Sequence, residues 1–200
     1  QHFYFYMESN VAFESAKKIS DKGKNKLLLT FSPTTKKLLL KVGISAVDEE
    51  GAKENLLVEI PSWSFNIVQK STKSLWEKEL NKIDFKTENR DLKTTFYTSL
   101  YHSFLAPNIF HDIDGRYRGR DLEKHKLNPE ETSNYTVFSL WDTYRGTHPL
   151  FTFTQGQRVN EFVQTFIRQY EQGGDLPVWE LAANETECMI GYHSVSVIAD

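Results

Sequence analysis

A chain of 200 residues that is 39% hydrophobic and 26% charged, with a net charge of −3, can bury a sizeable core and excludes a disordered or fibrous protein. It carries no long basic run, which argues against nucleic acid or an anionic membrane surface as a partner, and no apolar run approaches the ~20 residues that span a bilayer. The single cysteine, Cys188, cannot close an internal disulfide.

The chain begins β-rich. Phe3, Phe5 and Met7 alternate with His2, Tyr4 and Tyr6. The clearest strand runs from Lys37 to Ala46, with Leu38, Leu40, Val42, Ile44 and Ala46 on one face. A short run from Lys26 to Phe31 is expected to join it as a hairpin through the turn S-P-T-T at Ser32 to Thr35. The lysine-rich stretch from Lys17 to Lys26, holding Gly23, reads as a solvated loop.

The character changes after Asp48. Ala52, Leu56 and Ile60 predict a short helix before Pro61, and Trp63 with Phe65 reads as a brief strand. Ser74 with Glu77 forms a capping-box pattern ahead of a connecting helix that carries Trp76, Leu80 and Ile83.

From Asn89 onward the pattern is helical. Asp91 is expected to cap a helix with the stripe Leu92, Phe96, Leu100 and Phe104, ended by Pro107. The stretch Asn134 to Pro149 also predicts a helix, through Val137, Phe138, Trp141 and Tyr144, with Pro149 as its stop. Val159, Phe162, Val163, Phe166, Ile167 and Tyr170 mark another, closed by Gly173 and Gly174, and a third is expected to begin near Cys188. Helices of this length joined by long loops suggest a toroid of paired helices whose loops build the site.

Asp142 and Arg145, three apart, lie at or beside the apolar stripe of their predicted helix. Either they neutralise one another as an ion pair, or they line a pocket with Trp141. A sugar suits such a pocket, since an aromatic face covers its C–H groups while a carboxylate and a guanidinium take its hydroxyls.

Two further stretches carry chemical groups. Asp112, Asp114 and Gly115 resemble a calcium loop, but an EF-hand needs an oxygen ligand where Arg116 stands and a glycine where Tyr117 stands, leaving an Asp-Gly turn packed by Tyr117 as the favoured reading. Between Leu176 and His193, Trp179 and Glu180 with Asn184 form a set that can grip a sugar or an oxygen-coordinated cation. Asn184 and Glu185 also read as a cap for the helix expected after them. The sequons at Asn134 and Asn184 read as accidental. No zinc, dithiol, nucleophile-elbow or phosphate-loop spacing occurs, so carboxylates remain the natural agents.

The strings F-Y-T-S-L-Y-H-S-F-L-A-P-N (Phe96 to Asn108), D-I-D-G-R-Y-R-G (Asp112 to Gly119), Y-T-V-F-S-L-W-D-T-Y-R (Tyr135 to Arg145) and N-E-T-E-C-M-I-G-Y-H (Asn184 to His193), the last followed by V-I-A-D, resemble successive motifs of glycoside hydrolase family 92. G-I-S-A-V-D-E-E-G-A-K-E-N-L, from Gly43 to Leu56, is similar to the end of that family's N-terminal domain. These are the calcium-dependent exo-α-mannosidases.

The resemblance implies an α+β multidomain segment. Residues 1–61 complete a β-sandwich, 62–88 form a linker-helix region, and 89–200 begin an (α/α)6 barrel. It further implies inverting hydrolysis of terminal α-mannose from glycans, with Ca2+ as cofactor and an exported location. Trp141, Asp142 and Arg145 would hold the terminal mannose, with Asn184 and Glu185 as further binding residues. No calcium ligand is assigned. The catalytic acid and base are expected outside these residues, with Glu185 the in-chain outsider. Gln1 opens without a leader and Asp200 closes without a stop signal, from which an internal segment of a longer protein is expected, its partners being the remaining parts of that polypeptide. The alternatives are a non-catalytic carbohydrate-binding protein on the same scaffold and a barrel glycosidase for another sugar.

Overall fold

The computed structural model describes residues 2–21, 24–131 and 133–200. Strand β1 (Tyr4–Ser9) pairs antiparallel with β4 (Leu40–Ser45), Tyr4 facing Ser45 and Ser9 facing Leu40. Between them β2 (Ser15–Asp21) and β3 (Lys24–Thr30) form a separate hairpin. The expected loop over Lys17 to Lys26 is therefore a pair of strands, although Lys22 and Gly23 lie outside the described residues. Lys17, Lys18 and Lys26 are exposed, while the backbone finds partners across the hairpin. The turn at Ser32 to Thr35 forms, with the Thr35 N–H donating to the Ser32 carbonyl, but it leads into β4 without pairing β3 to it.

The faces of β4 are the reverse of what hydrophobicity suggests. Lys41, Gly43 and Ser45 are buried, whereas Leu40, Val42 and Ile44 are at least half exposed. The buried face receives helix α1 (Glu49–Glu59), whose Asp48 cap accepts the Gly51 N–H and whose Ala52 and Leu56 press against the strand. A Cβ on Gly43 would stand 2.1 Å from the Ala52 carbonyl oxygen, so helix and strand meet backbone to backbone. Lys41 is accommodated by pairing with Glu8 at 3.1 Å and donating to the Ile60 carbonyl.

Helix α2 (Phe65–Leu80) starts earlier than its sequence signals suggest. Ser64 accepts the Ile67 N–H as its cap, so Trp63 and Phe65 are not a strand and Ser74 sits inside the helix. Helix α3 (Arg90–Ser103) is capped by Asn89, which accepts the Leu92 N–H, with Asp91 in the first turn instead of at the cap. The chain then crosses a region of short strands, β5 (Asn108–Ile109), β6 (Arg116–Arg118) and β7 (Lys124–Lys126).

This region is bolted to the first strands by buried polar contacts. Asp112 accepts the Ser45 hydroxyl at 2.7 Å and the Asn55 amide at 2.9 Å; Arg116 pairs with Asp48 and Asp114; Arg118 donates to the carbonyls of Ala46 and Val47. The contacts with Asp48 hold its carboxyl far below the usual carboxylate range, the Lys124 ammonium first among them, then the Gly51 N–H and Arg116. The Asp-Gly turn and the packing of Tyr117 are as expected, and Arg116 and Arg118 serve this junction.

The segment expected as a helix over Asn134 to Pro149 is instead β8 (Tyr135–Thr136), β9 (Phe138–Ser139), the single turn α4 (Leu140–Thr143), and then α5 (Thr147–Thr154). Pro149 lies in the first turn of α5, where its missing N–H has no partner to lose. Helix α6 (Gly156–Gly173) is as read, ending on Gly174 with φ of 88°. Strands β10 (Trp179–Leu181) and β11 (Asn184–Glu185) follow, then α7 (His193–Ala199), which begins five residues later than the expected start near Cys188.

The main core gathers Tyr135, Phe138, Leu140, Phe151, Phe162, Phe166 and Val197. His148 is sealed beside Phe151 and Phe162. Burial drives its imidazole down to about 4. The neutral ring is therefore favoured in the folded state. Its contribution to stability is complete above about pH 6.5 and is lost as pH falls toward 4, by up to about 3 kcal/mol. Between pH 7 and 4 the thermal midpoint of the parent protein is expected to fall relative to that of His148→Phe; parallel curves would contradict this.

Candidate functional site

Three short strands, in the order β11-β10-β9, assemble the site. Trp179 of β10 pairs with Ser139 of β9, and Glu180 pairs with Phe138 on one side and Glu185 on the other. The Leu140 N–H donates to the Val178 carbonyl, so α4 starts directly off this sheet. Residues from two distant stretches thereby meet across one sheet: Ser139 of β9 lies against Trp179 of β10 on one side, Asn184 and Glu185 of β11 line the other, and Trp141 and Asp142 stand in the turn that leaves β9.

Trp141 is 39% exposed, and Asp142 and Arg145 are exposed. Among the described residues Asp142 and Arg145 form no ion pair with each other. Asp142 instead accepts the Ser139 hydroxyl at 2.5 Å, and Arg145 lies 5.9 Å from the ring of its neighbour Tyr144. The mutual pair that offered the plainer explanation is thus absent, and both charged heads face solvent. Tyr144 in turn packs against His193 at a centroid separation of 4.2 Å, joining this edge to α7.

Asn184 is a strand residue, so its reading as a helix cap is corrected. The Glu185 carboxylate accepts the backbone N–H groups of Val178, Trp179, Thr186 and Glu187, and Thr186 closes the loop by donating to the Trp179 carbonyl. Glu185 shapes the loop beneath Trp179. Glu180, paired in the sequence reading with Trp179 for gripping a ligand, is 1% exposed and turned into the protein. Burial, with a smaller push from the Glu185 charge, raises its carboxyl to about 7 against three hydrogen bonds that favour the ionised form.

The sequence reading missed Ser139 and Thr136, which bond Asp142 and Glu180. Thr136 and Glu180 lie in different stretches and no spacing rule connects them. Asn134 is buried and bonded to Phe110 and Arg168, which agrees with an accidental sequon.

Among the described residues, no three or more His, Cys, Asp or Glu side chains are grouped to hold a metal ion. The carboxylates nearest in sequence to such a role are already engaged: Asp112 by Ser45 and Asn55, Asp114 by Arg116, Glu180 by Thr136, Glu185 by backbone. The donor set present here does not fit a calcium cage. No described helix is long and apolar enough to cross a membrane.

A model of the glycosyl hydrolase family 92 catalytic domain matches residues 51–200. The structure is similar to that of a family GH92 alpha-mannosidase from Bacteroides thetaiotaomicron, with a TM-score of 0.90 and 34% identity over 99% of this chain and 29% of that one. The same enzyme in complex with mannoimidazole matches at 0.90 and 35%, over 99% of this chain and 28% of the other. A family GH92 inverting mannosidase from Bacteroides thetaiotaomicron VPI-5482, at 24% identity, TM-score 0.84 and coverage of 97% and 28%, shares the fold. A comparison with curated proteins finds no match. This chain spans about three tenths of the length of the solved structures it matches. Its strands-then-helices order is that of a sandwich end leading into barrel helices, and the chain belongs to glycosyl hydrolase family 92.

Proposed function

We propose that the protein hydrolyses terminal α-linked mannose from glycans with inversion, and that this chain supplies part of the wall that holds the mannose. The observation that carries this reading is the placement of exposed Trp141 and Asp142 just after β9, whose Ser139 pairs with Trp179 and bonds Asp142, in a chain 35% identical to an alpha-mannosidase solved with mannoimidazole. Trp141 covers the sugar's C–H face, Asp142 accepts from hydroxyls, and Arg145 donates to them. Asn184 offers a further amide to the sugar, and Glu185 acts by fixing the loop that carries Trp179.

Inversion uses an acid and a base about 6.5–9.5 Å apart across the scissile bond. Glu180 is sealed from solvent and Glu185 is saturated by backbone donors, so neither serves as that acid or base. In this reading both come from outside the chain described here, as do the ligands of calcium. Residues 1–61 form the sandwich end, 62–88 the linker and 89–200 the start of the barrel; the packing of α1 on β1 and β4 supports placing it with the sandwich. Export from the cytoplasm belongs to the same proposal.

The test is release of mannose from α-linked mannobioses by the full-length enzyme, with calcium and after chelation. Release that stops on chelation and returns with calcium is expected. Mannose binding without release from any linkage would favour a non-catalytic sugar-binding protein, and release of a different sugar would reassign the substrate.

A further inference from the structure

Three of the five non-glycine residues with positive φ among the described residues are Val137 (69°), Ala182 (49°) and Ala183 (68°). A β-branched residue in this region, such as Val137, is strained. Ala182 and Ala183 fill the two-residue turn between Leu181 and Asn184, a place that ordinarily takes Asn-Gly. All three positions converge on one buried carboxylate. Glu180 Oε2 accepts the Val137 N–H at 3.0 Å, and Oε1 accepts the Ala183 N–H at 2.6 Å and the Thr136 hydroxyl at 2.8 Å. The Thr136 oxygen in turn accepts the Ala182 N–H at 2.6 Å.

We propose that Glu180 is a positioning residue for the mannose wall, its carboxylate holding Val137, Ala182 and Ala183 in left-handed backbone so that β9 leads into α4 with Trp141 and Asp142 presented, and the β10–β11 pair holds Trp179. The proposal rests on the mannosidase reading for the identity of the ligand, and on the hydrogen-bond geometry for the clamp. Val137 immediately precedes β9, whose Ser139 bonds Asp142, and the Ala182–Ala183 turn immediately precedes β11, whose Glu185 bonds the Trp179 N–H. A glutamine at 180 keeps one accepting oxygen but turns an NH2 group toward a backbone N–H, so one strained position loses its acceptor.

In the full-length enzyme, Glu180→Gln is expected to raise KM for mannobiose by about tenfold or more, with a smaller fall in kcat. Thr136→Val, a milder cut in the same network, is expected to move KM the same way by less. Phe166→Leu, a core change outside the network, lowers the thermal midpoint and leaves KM in place. In a background of Val137→Gly with Ala182→Asn and Ala183→Gly, which tolerates positive φ without a clamp, Glu180→Gln is expected to raise KM by no more than about threefold. An equal rise in both backgrounds, or no rise in either, overturns the proposal. If the parent enzyme releases no mannose, the functional reading fails separately and the cycle is read in thermal midpoints, where non-additive changes uphold the clamp and additive ones overturn it.

Discussion

Asp142→Ala is expected to lower kcat/KM for α-mannosides by about 10²-fold, the equivalent of about 3 kcal/mol of charge-assisted hydrogen bonding, while moving stability by less than about 0.5 kcal/mol. The asymmetry follows from where the side chain sits. It is exposed, forms no ion pair with Arg145, and has the Ser139 hydroxyl as its partner, a group that water can serve equally well when the carboxylate is gone. On the reading proposed above, this exposed carboxylate next to Trp141 is available to accept from a sugar hydroxyl. Steady-state kinetics with a thermal melt of the full-length enzyme checks both halves. A loss of activity in proportion to a large drop in midpoint would return Asp142 to a structural role.

Arg168→Ala is expected to cost about 3–5 kcal/mol of stability, the largest such effect of any single truncation considered. Arg168 is 8% exposed, and its guanidinium donates to Asn134 Oδ1, to the Ser133 carbonyl at 2.9 Å, to Thr165 Oγ1 at 3.0 Å and to Glu131 through a short ion pair, while lying 5.9 Å from the Tyr117 ring. Its removal takes the donor from the buried Asn134 and Thr165 oxygens and from the Glu131 carboxylate, which keeps the Asn128 N–H. Arg168→Lys keeps the charge but loses the planar fork, so it should recover only a minority of the loss. Thermal unfolding, with hydrogen exchange across α6 to localise the effect, measures this. A shift no larger than that of an exposed substitution would show the network to be dispensable.

Helices with a single buried stripe and ordinary punctuation were legible in the sequence. Phe162 and Phe166 with Gly173 and Gly174 predict α6 because a 3.6-residue period and a left-handed glycine cap are local properties. The stretch from Asn134 to Pro149 was not, because its apolar residues fit a helical period while tertiary pairing decides otherwise. Tyr135, Phe138 and Leu140 reach one core from two short strands and a helical turn, and the reversal at Val137 depends on a hydrogen bond to Glu180, 43 positions away. The lysine-rich hairpin was hidden for a related reason, since strands exposed on both faces carry no alternation to read. At the site, Trp141, Asp142 and Arg145 were identified by residue type, but their presentation belongs to a sheet assembled from separate stretches. Glu185 was identified by type, but the backbone N–H groups its carboxylate accepts are not written in side chains.

The inverted faces of β4 have a consequence for how the strand finds its place. Alternation normally fixes pairing because a slip by one residue moves apolar groups into water. Here such a slip would bring Val42 or Ile44 under α1, at the spot where even a Cβ stands 2.1 Å from a carbonyl oxygen. Alignment with β1 is therefore enforced by lack of room: a shifted strand would gain apolar burial and still be rejected, because the helix above it has no volume to give.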